Sequence, residues 1–202
     1  LPGFIDSHGH ILFTGATLDQ LSLHPPPVGD VNNVDDIVRK IREWIDEKDI
    51  PAGEIVIGGG YDDSLLDEGL HPTRYDLDRA STEHPIALMH VSGHLRSVNS
   101  LALETSNITA ATVDPPGGHI RRVEGSREPN GVLEEGAAGL VVGGFGDFGG
   151  GGDIDDILRR TIDLYLSYGT TTIQNGGGTD PETVAAFRAA ADREPLEADI
   201  AA

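Results

Sequence analysis

The stretch Leu1-Pro2-Gly3-Phe4-Ile5-Asp6-Ser7-His8-Gly9-His10 opens the chain and decides how the rest of it is read. Its apolar start predicts a short strand over residues 4–8. A strand repeats every two residues, so His8 and His10 project from one face. Two imidazoles held side by side on a rigid ribbon are a good start for a metal site. Two nitrogens do not complete a coordination shell, and two surface or loop histidines would look the same in sequence. Asp6 shares their face, where it could steady an imidazole from behind or line the floor of the site. Gly9 leaves the backbone room between the two rings.

Working outward, strands alternate with helices. A proline-rich loop through His24-Pro25-Pro26-Pro27 cannot be helix interior. A helix over residues 34–48 follows, with Val34, Ile37, Val38, Ile41 and Ile45 on one face, Trp44 beside it and Asn33 as N-cap. Residues 54–60 read as a second strand that runs into a glycine turn, and residues 72–80 as a short helix around Leu77. Residues 85–91 read as a third strand, apolar on both sides, which suits a sheet covered on both faces. A short helix over residues 99–106 comes next, then a turn-rich excursion over residues 107–152. Within it, residues 134–142 have helical character, and residues 145–152 are glycine-rich and expected to be mobile. A helix over residues 154–167, a C-cap at Gly169, a strand over residues 170–173 and a helix starting at Asp180-Pro181 complete the pattern.

This βα series predicts an α/β fold. An open doubly wound sheet and part of a (β/α) barrel fit the periodicity equally well. A full barrel needs eight strands and about 250 residues, whereas 202 residues carry about four recognisable βα units. The chain is expected to be one incomplete barrel domain, with residues 107–152 as an insertion. Leu1-Pro2-Gly3 reads as the interior of a longer protein.

Composition excludes several functions. There is no cysteine, so disulfides, thiolate metal sites and a cysteine nucleophile are ruled out. Acids outnumber bases 34 to 14, for a net charge of -20, and only Lys40 and Lys48 are lysines. Such a surface repels nucleic acid and anionic membranes and suits a salt-loving cytoplasm. No apolar run reaches the roughly 20 residues of a membrane span. Gly58-Gly59-Gly60 and residues 143–152 lack the spacing and the Lys-Ser/Thr of a phosphate loop, and no Gly-x-Ser-x-Gly elbow occurs.

Other candidates follow strand ends, where α/β folds gather their sites. His94 is either a substrate-facing, oxyanion-stabilising imidazole or a packed loop residue. Asn99 lines the same pocket or caps the next helix. Tyr61 and Asp62 lie just past the second strand. His119 and Glu134 belong to the excursion and could fold back over a site. His90, inside an apolar strand, reads as a satisfied core residue. His24, His71 and His84 neighbour prolines or turns and are expected to be exposed.

Four segments resemble the amidohydrolase superfamily. The opening Pro2-Gly3-Phe4-Ile5-Asp6-Ser7-His8-Gly9-His10 resembles its first-strand signature. Val91-Ser92-Gly93-His94 with Val98-Asn99-Ser100-Leu101-Ala102-Leu103, and Pro115-Pro116-Gly117-Gly118-His119-Ile120 with Glu128-Pro129-Asn130-Gly131-Val132-Leu133-Glu134, resemble its family 3 branch. That branch includes N-substituted formamide deformylase and exoenzyme regulatory protein relatives. Gly169-Thr170-Thr171-Thr172-Ile173 resembles the start of a strand usually written Gly-Val-Thr-Ser. Gly9 and Ser92 depart from the side chains common at their positions.

The resemblance implies a metal-dependent barrel that hydrolyses non-peptide carbon–nitrogen bonds in amides or formamides. His8 and His10 would be first-strand ligands of one or two divalent ions, zinc foremost. The remaining ligands and the proton-handling aspartate would lie outside this chain. A small amide-like substrate is then the expected partner. A second copy of the chain or a separate C-terminal segment could complete the assembly. The alternatives are a catalytically incomplete fragment of such an enzyme and a phosphoesterase that also begins on a His-x-His strand.

Overall fold

The computed structural model describes residues 2–141, 154–177 and 180–202. In chain order the elements are β1 (Phe4–Gly9), α1 (Ile11–Thr17), β2 (Leu21–Ser22), α2 (Val34–Lys48), β3 (Val56–Tyr61), α3 (Arg74–Asp78), β4 (Ile86–His90), β5 (Leu95–Val98), α4 (Ser100–Thr105), β6 (Gly118–Arg122), β7 (Pro129–Glu135), α5 (Ile154–Ser167), β8 (Thr170–Asn175), α6 (Pro181–Arg193) and β9 (Asp199–Ala201). They divide into two units, Leu1–Asp19 with Asp147–Ala202, and Gln20–Gly146. None of the described helices is long and apolar enough to cross a membrane.

The first unit is built on a parallel sheet in the order β1-β8-β9. The apolar face expected of α5 is present: Ile157, Leu158, Thr161 and Ile162 are buried. They pack with Ile11, Ile173, Phe187, Ala190 and Ala198. Asp180 caps α6 by accepting from the Thr183 N–H at 2.7 Å, with Pro181 in the first turn where its missing N–H is harmless. Parallel strands joined through helices, in an unclosed sheet, are what an incomplete barrel of this class provides. Phe4 and Ile5 are 71% and 74% exposed, so the apolar opening strand is not a covered one.

Helix α1 is absent from the sequence reading, because seven residues containing Thr14 and Gly15 carry too little periodicity. It forms because tertiary partners complete it. The Ile11 N–H donates to Asn175 Oδ1 at 3.0 Å, and Gly15 lets α1 lie against α5. A Cβ there would stand 2.2 Å from Thr161 Oγ1 and 2.7 Å from the Ile157 carbonyl oxygen.

The second unit holds a mixed six-stranded sheet in the order β2-β3-β4-β5-β7-β6, parallel through β4 and antiparallel beyond it. Helix α2 matches its expected bounds, and its N-cap is Asn33, whose Oδ1 accepts from the Asp36 N–H at 2.9 Å. All five residues of β4 are buried, as its two-sided apolar character predicts. The glycine triplet is not a turn: Gly58, Gly59 and Gly60 lie within β3. Gly60 has φ of 92° and faces the His24 ring, so the strand continues only without a side chain there. The helix expected over residues 134–142 is instead the end of β7 followed by a single 3-10 turn, Ala138–Leu140. The turn-rich stretch hides β6, and β5 is also unannounced in the sequence; both form because neighbouring strands satisfy them. Nine strands occur among the described residues where about four were expected. The glycine-rich run at residues 145–152 lies outside the described residues.

Asn99 holds three segments of this unit together. It is fully buried, and Oδ1 accepts from the Ile86 and Ala102 N–H groups at 3.0 and 2.9 Å. Its amide donates to the Ser81 and His84 carbonyls at 3.0 and 2.9 Å. Asn99→Ala would orphan four buried backbone groups and is expected to destabilise the fold by at least about 3 kcal/mol, read from urea unfolding; a loss below about 1 kcal/mol would contradict this account. Gly15→Val is expected to cost about 1–3 kcal/mol by overpacking α1 against α5, visible as a lower thermal midpoint with native helix content retained below it.

Candidate functional site

Strand periodicity brings the His8 and His10 rings together, with centroids 5.4 Å apart and planes at 86°. Both residues are exposed, at and just beyond the carboxyl end of β1. The adjacent β8 ends at Asn175, and Gly176 and Gly177 then pass against the imidazoles. A Cβ on Gly176 would lie 2.4 Å from His8 Nδ1, and one on Gly177 would lie 2.8 Å from His10 Cε1. Bare backbone on that side leaves the rings their space. Among the described residues no third aspartate, glutamate or histidine joins the pair.

Asp6 bonds the backbone of its own strand. It accepts from the His8 backbone N–H at 3.3 Å. It also lies beside Tyr165, whose phenol is held above its ordinary range by burial and by the Asp6 charge. Gly9 is required here, since a Cβ would meet Asp6 Oδ2 at 2.5 Å and the Tyr165 hydroxyl at 2.6 Å.

A second constellation, unforeseen in the sequence, lies in the 20–146 unit. Asp63, His71 and His90 each present a ligand atom, and these atoms lie within 4.8 Å of one another. The register pairs Tyr61 with His90 at the carboxyl ends of the parallel strands β3 and β4. Asp63 follows in the 3-10 turn Asp63–Leu65, and His71 arrives from the loop before α3. His90 Nε2 stands 3.0 Å from Asp63 Oδ1, and His71 Nε2 stands 3.7 Å from Asp63 Oδ2. The two histidine side chains are only 9% and 11% exposed. Two imidazoles and a carboxylate form a donor set suited to a divalent ion that activates water.

Two expectations are corrected by this cluster. His71 is not an exposed turn residue, and burial holds its imidazole below the ordinary histidine range. His90 is not a satisfied core residue, because its buried Nε2 has no hydrogen-bond partner. Spacings of eight and nineteen residues between the three ligands match no motif. A histidine closing a wholly apolar strand was the one available signal. His84 is also buried rather than exposed, bonded to Ser81 Oγ and the Ile50 carbonyl at 2.8 and 3.0 Å, and His24 is half-buried.

The remaining candidates lie at several places in the same unit. Tyr61 is fully buried and bonds Ser97 Oγ at 2.9 Å; burial pushes its phenol far above the ordinary value. Asp62 accepts from Ser64 Oγ and N–H at 2.7 and 3.0 Å, which holds its carboxyl below the ordinary range. Asn99 spends its carboxamide on the cap described above. His94 is exposed and bonds Glu135 Oε2 at 3.0 Å. His119 is exposed and bonds Asp114 Oδ2 at 2.7 Å, and Glu134 is paired with Arg121.

Comparison with known proteins agrees with this architecture. A family model described as the amidohydrolase family matches residues 1–201. The chain is 31% identical over 176 residues to an N-substituted formamide deformylase of Arthrobacter pascens, covering 86% of this chain and 31% of that protein. It is 30% identical over 196 residues to the exoenzymes regulatory protein AepA of Pectobacterium carotovorum subsp. carotovorum, covering 93% of this chain and 40% of that protein. The chain thus spans well under half the length of these relatives. A crystal structure of an uncharacterized metal-dependent hydrolase from Pyrococcus horikoshii OT3 superposes with a TM-score of 0.55 at 17% identity, covering 98% of this chain and 35% of that one, which supports the fold. With a family match running through both units, the chain belongs to the amidohydrolase family.

Proposed function

We propose that this chain is part of a metal-dependent hydrolase that cleaves a non-peptide carbon–nitrogen bond in an amide or formamide. The observation that carries the reading is the imidazole pair of His8 and His10, gathered at the carboxyl end of β1 and bordered by side-chain-free backbone at Gly176 and Gly177. That arrangement fits a divalent ion, zinc foremost, with His8 and His10 as two of its ligands. Such an ion supplies a Lewis acid for the carbonyl and a bound water acidic enough to attack near neutral pH.

The chain's own residues have narrower tasks. Asp6 fixes the backbone between the two ligands through the His8 N–H. Asn175 holds the start of α1 and so the backbone next to His10. His94, oriented by Glu135, is assigned to meet the substrate. Tyr61, Asp62, Asn99 and His119 are assigned no more than support of that unit, given how their polar groups are used. The reading places the other ligands and the proton-carrying aspartate outside this chain. Similarity to an N-substituted formamide deformylase makes a formamide the first substrate class to try. The net charge of -20 favours a salt-rich cytoplasm as the working medium.

His8→Ala and His10→Ala are each expected to lower bound zinc by one equivalent per chain, measured by elemental analysis after dialysis in high salt. Amine release from simple N-substituted formamides is expected to be weak for this chain and to vanish on chelation or in either variant. Zinc content unchanged in both variants would remove the pair, and the hydrolytic reading with it.

A further inference from the structure

Three features of the Asp63, His71 and His90 cluster go beyond mere proximity. The first is spacing. Donors about 2.0–2.1 Å from zinc at tetrahedral angles lie about 3.3 Å from one another. The two separations from the carboxylate, 3.0 Å from Oδ1 to His90 and 3.7 Å from Oδ2 to His71, bracket that edge, and one donor atom from each residue lies within 4.8 Å of the others. The second is orientation. His90 Nε2 is buried and makes no hydrogen bond even though a carboxylate oxygen stands 3.0 Å away. The nitrogen and the oxygen are therefore close without pointing at each other.

The third is what backs each ring. His71 Nδ1 lies 3.3 Å from the Tyr61 hydroxyl, which in turn bonds Ser97 Oγ. His90 Nδ1 lies 2.8 Å from Ser92 Oγ and accepts from the Ser92 backbone N–H at 3.1 Å. Both outer nitrogens are thus held from behind, and both rings bring Nε2 to Asp63. Metal-ligating histidines are ordinarily oriented by a bond at the outer nitrogen. Arg121, whose charge reaches His71, is already paired with Glu134.

We propose that Asp63, His71 and His90 form a zinc site belonging to the 20–146 unit, with water as the fourth ligand. The ion would tie the turn after β3, the loop before α3 and the end of β4 to one another. These ligands are not the His8 and His10 pair, and the inference does not rest on the hydrolytic reading.

The full chain, stripped of metal and titrated with Zn2+, decides it. The His8→Ala/His10→Ala double variant is expected to keep one zinc per chain and to show a thermal midpoint that rises with zinc concentration. Adding His71→Gln or Asp63→Asn is expected to weaken that binding by more than about 100-fold and to abolish the rise. Circular dichroism of the metal-free variants controls for folding. Asp63→Asn, a near-isosteric change in a half-exposed turn, keeps the test open if His71→Gln unfolds. Co2+ in place of Zn2+ is expected to give visible bands of a tetrahedral nitrogen–oxygen site that Asp63→Asn removes. A double variant that binds no zinc, or one whose zinc survives both His71→Gln and Asp63→Asn, overturns the proposal. The hydrolytic reading fails separately, if the loss of His8 and His10 leaves zinc content unchanged.

Discussion

Parallel strand pairing imposes a direction on this chain. Strands that run side by side in the same sense end on the same edge, and their carboxyl ends line up. In the first unit β1 and β8 pair with Gly9 opposite Asn175, so the two imidazoles meet the backbone that leaves β8. In the second unit β3 and β4 pair with Tyr61 opposite His90, so one strand's phenol stands beside the other's imidazole, 5.2 Å between centroids. Each donor set is therefore a consequence of register. A slip by one residue would turn these side chains to the opposite face.

The two sets differ in how far their surroundings prepare them. His8 and His10 are exposed, and what the fold supplies around them is space and a fixed backbone. His71 and His90 are enclosed, with Tyr61 and Ser92 behind the rings and Ser97 behind Tyr61, while Asp63 stays half-exposed. Burial also favours the neutral His71 imidazole, the form that can bind a cation. An open pair suits a site that must admit a substrate. A pair of buried imidazoles beside a carboxylate suits an ion that holds chain segments in place.

Long elements were readable because their own residues carry the signal. Helix α2 has a cap, an apolar stripe and a left-handed end at Asp49, all local. Helix α5 likewise shows its stripe, and β4 its unbroken apolar run. What escaped notice was short or borrowed. Helix α1 depends on Asn175, 164 residues away, and on the gap that Gly15 leaves beside α5. Strands β5 and β6 have no alternation of their own and exist through β4 and β7. The glycines of β3 look like a turn until β2 and His24 are seen to press against them.

The chain's sequence alone determined the α/β class, the amidohydrolase kinship and the pairing of His8 with His10. Those follow from near neighbours: a two-residue repeat, a 3.6-residue repeat and short motifs. Only the tertiary structure decided that His71 and His90 face Asp63, that Asn99 is a buried clamp and that the material after residue 107 joins a sheet. Such facts depend on register and burial between segments far apart along the chain. No local periodicity encodes which distant atom will stand three ångströms from a given nitrogen.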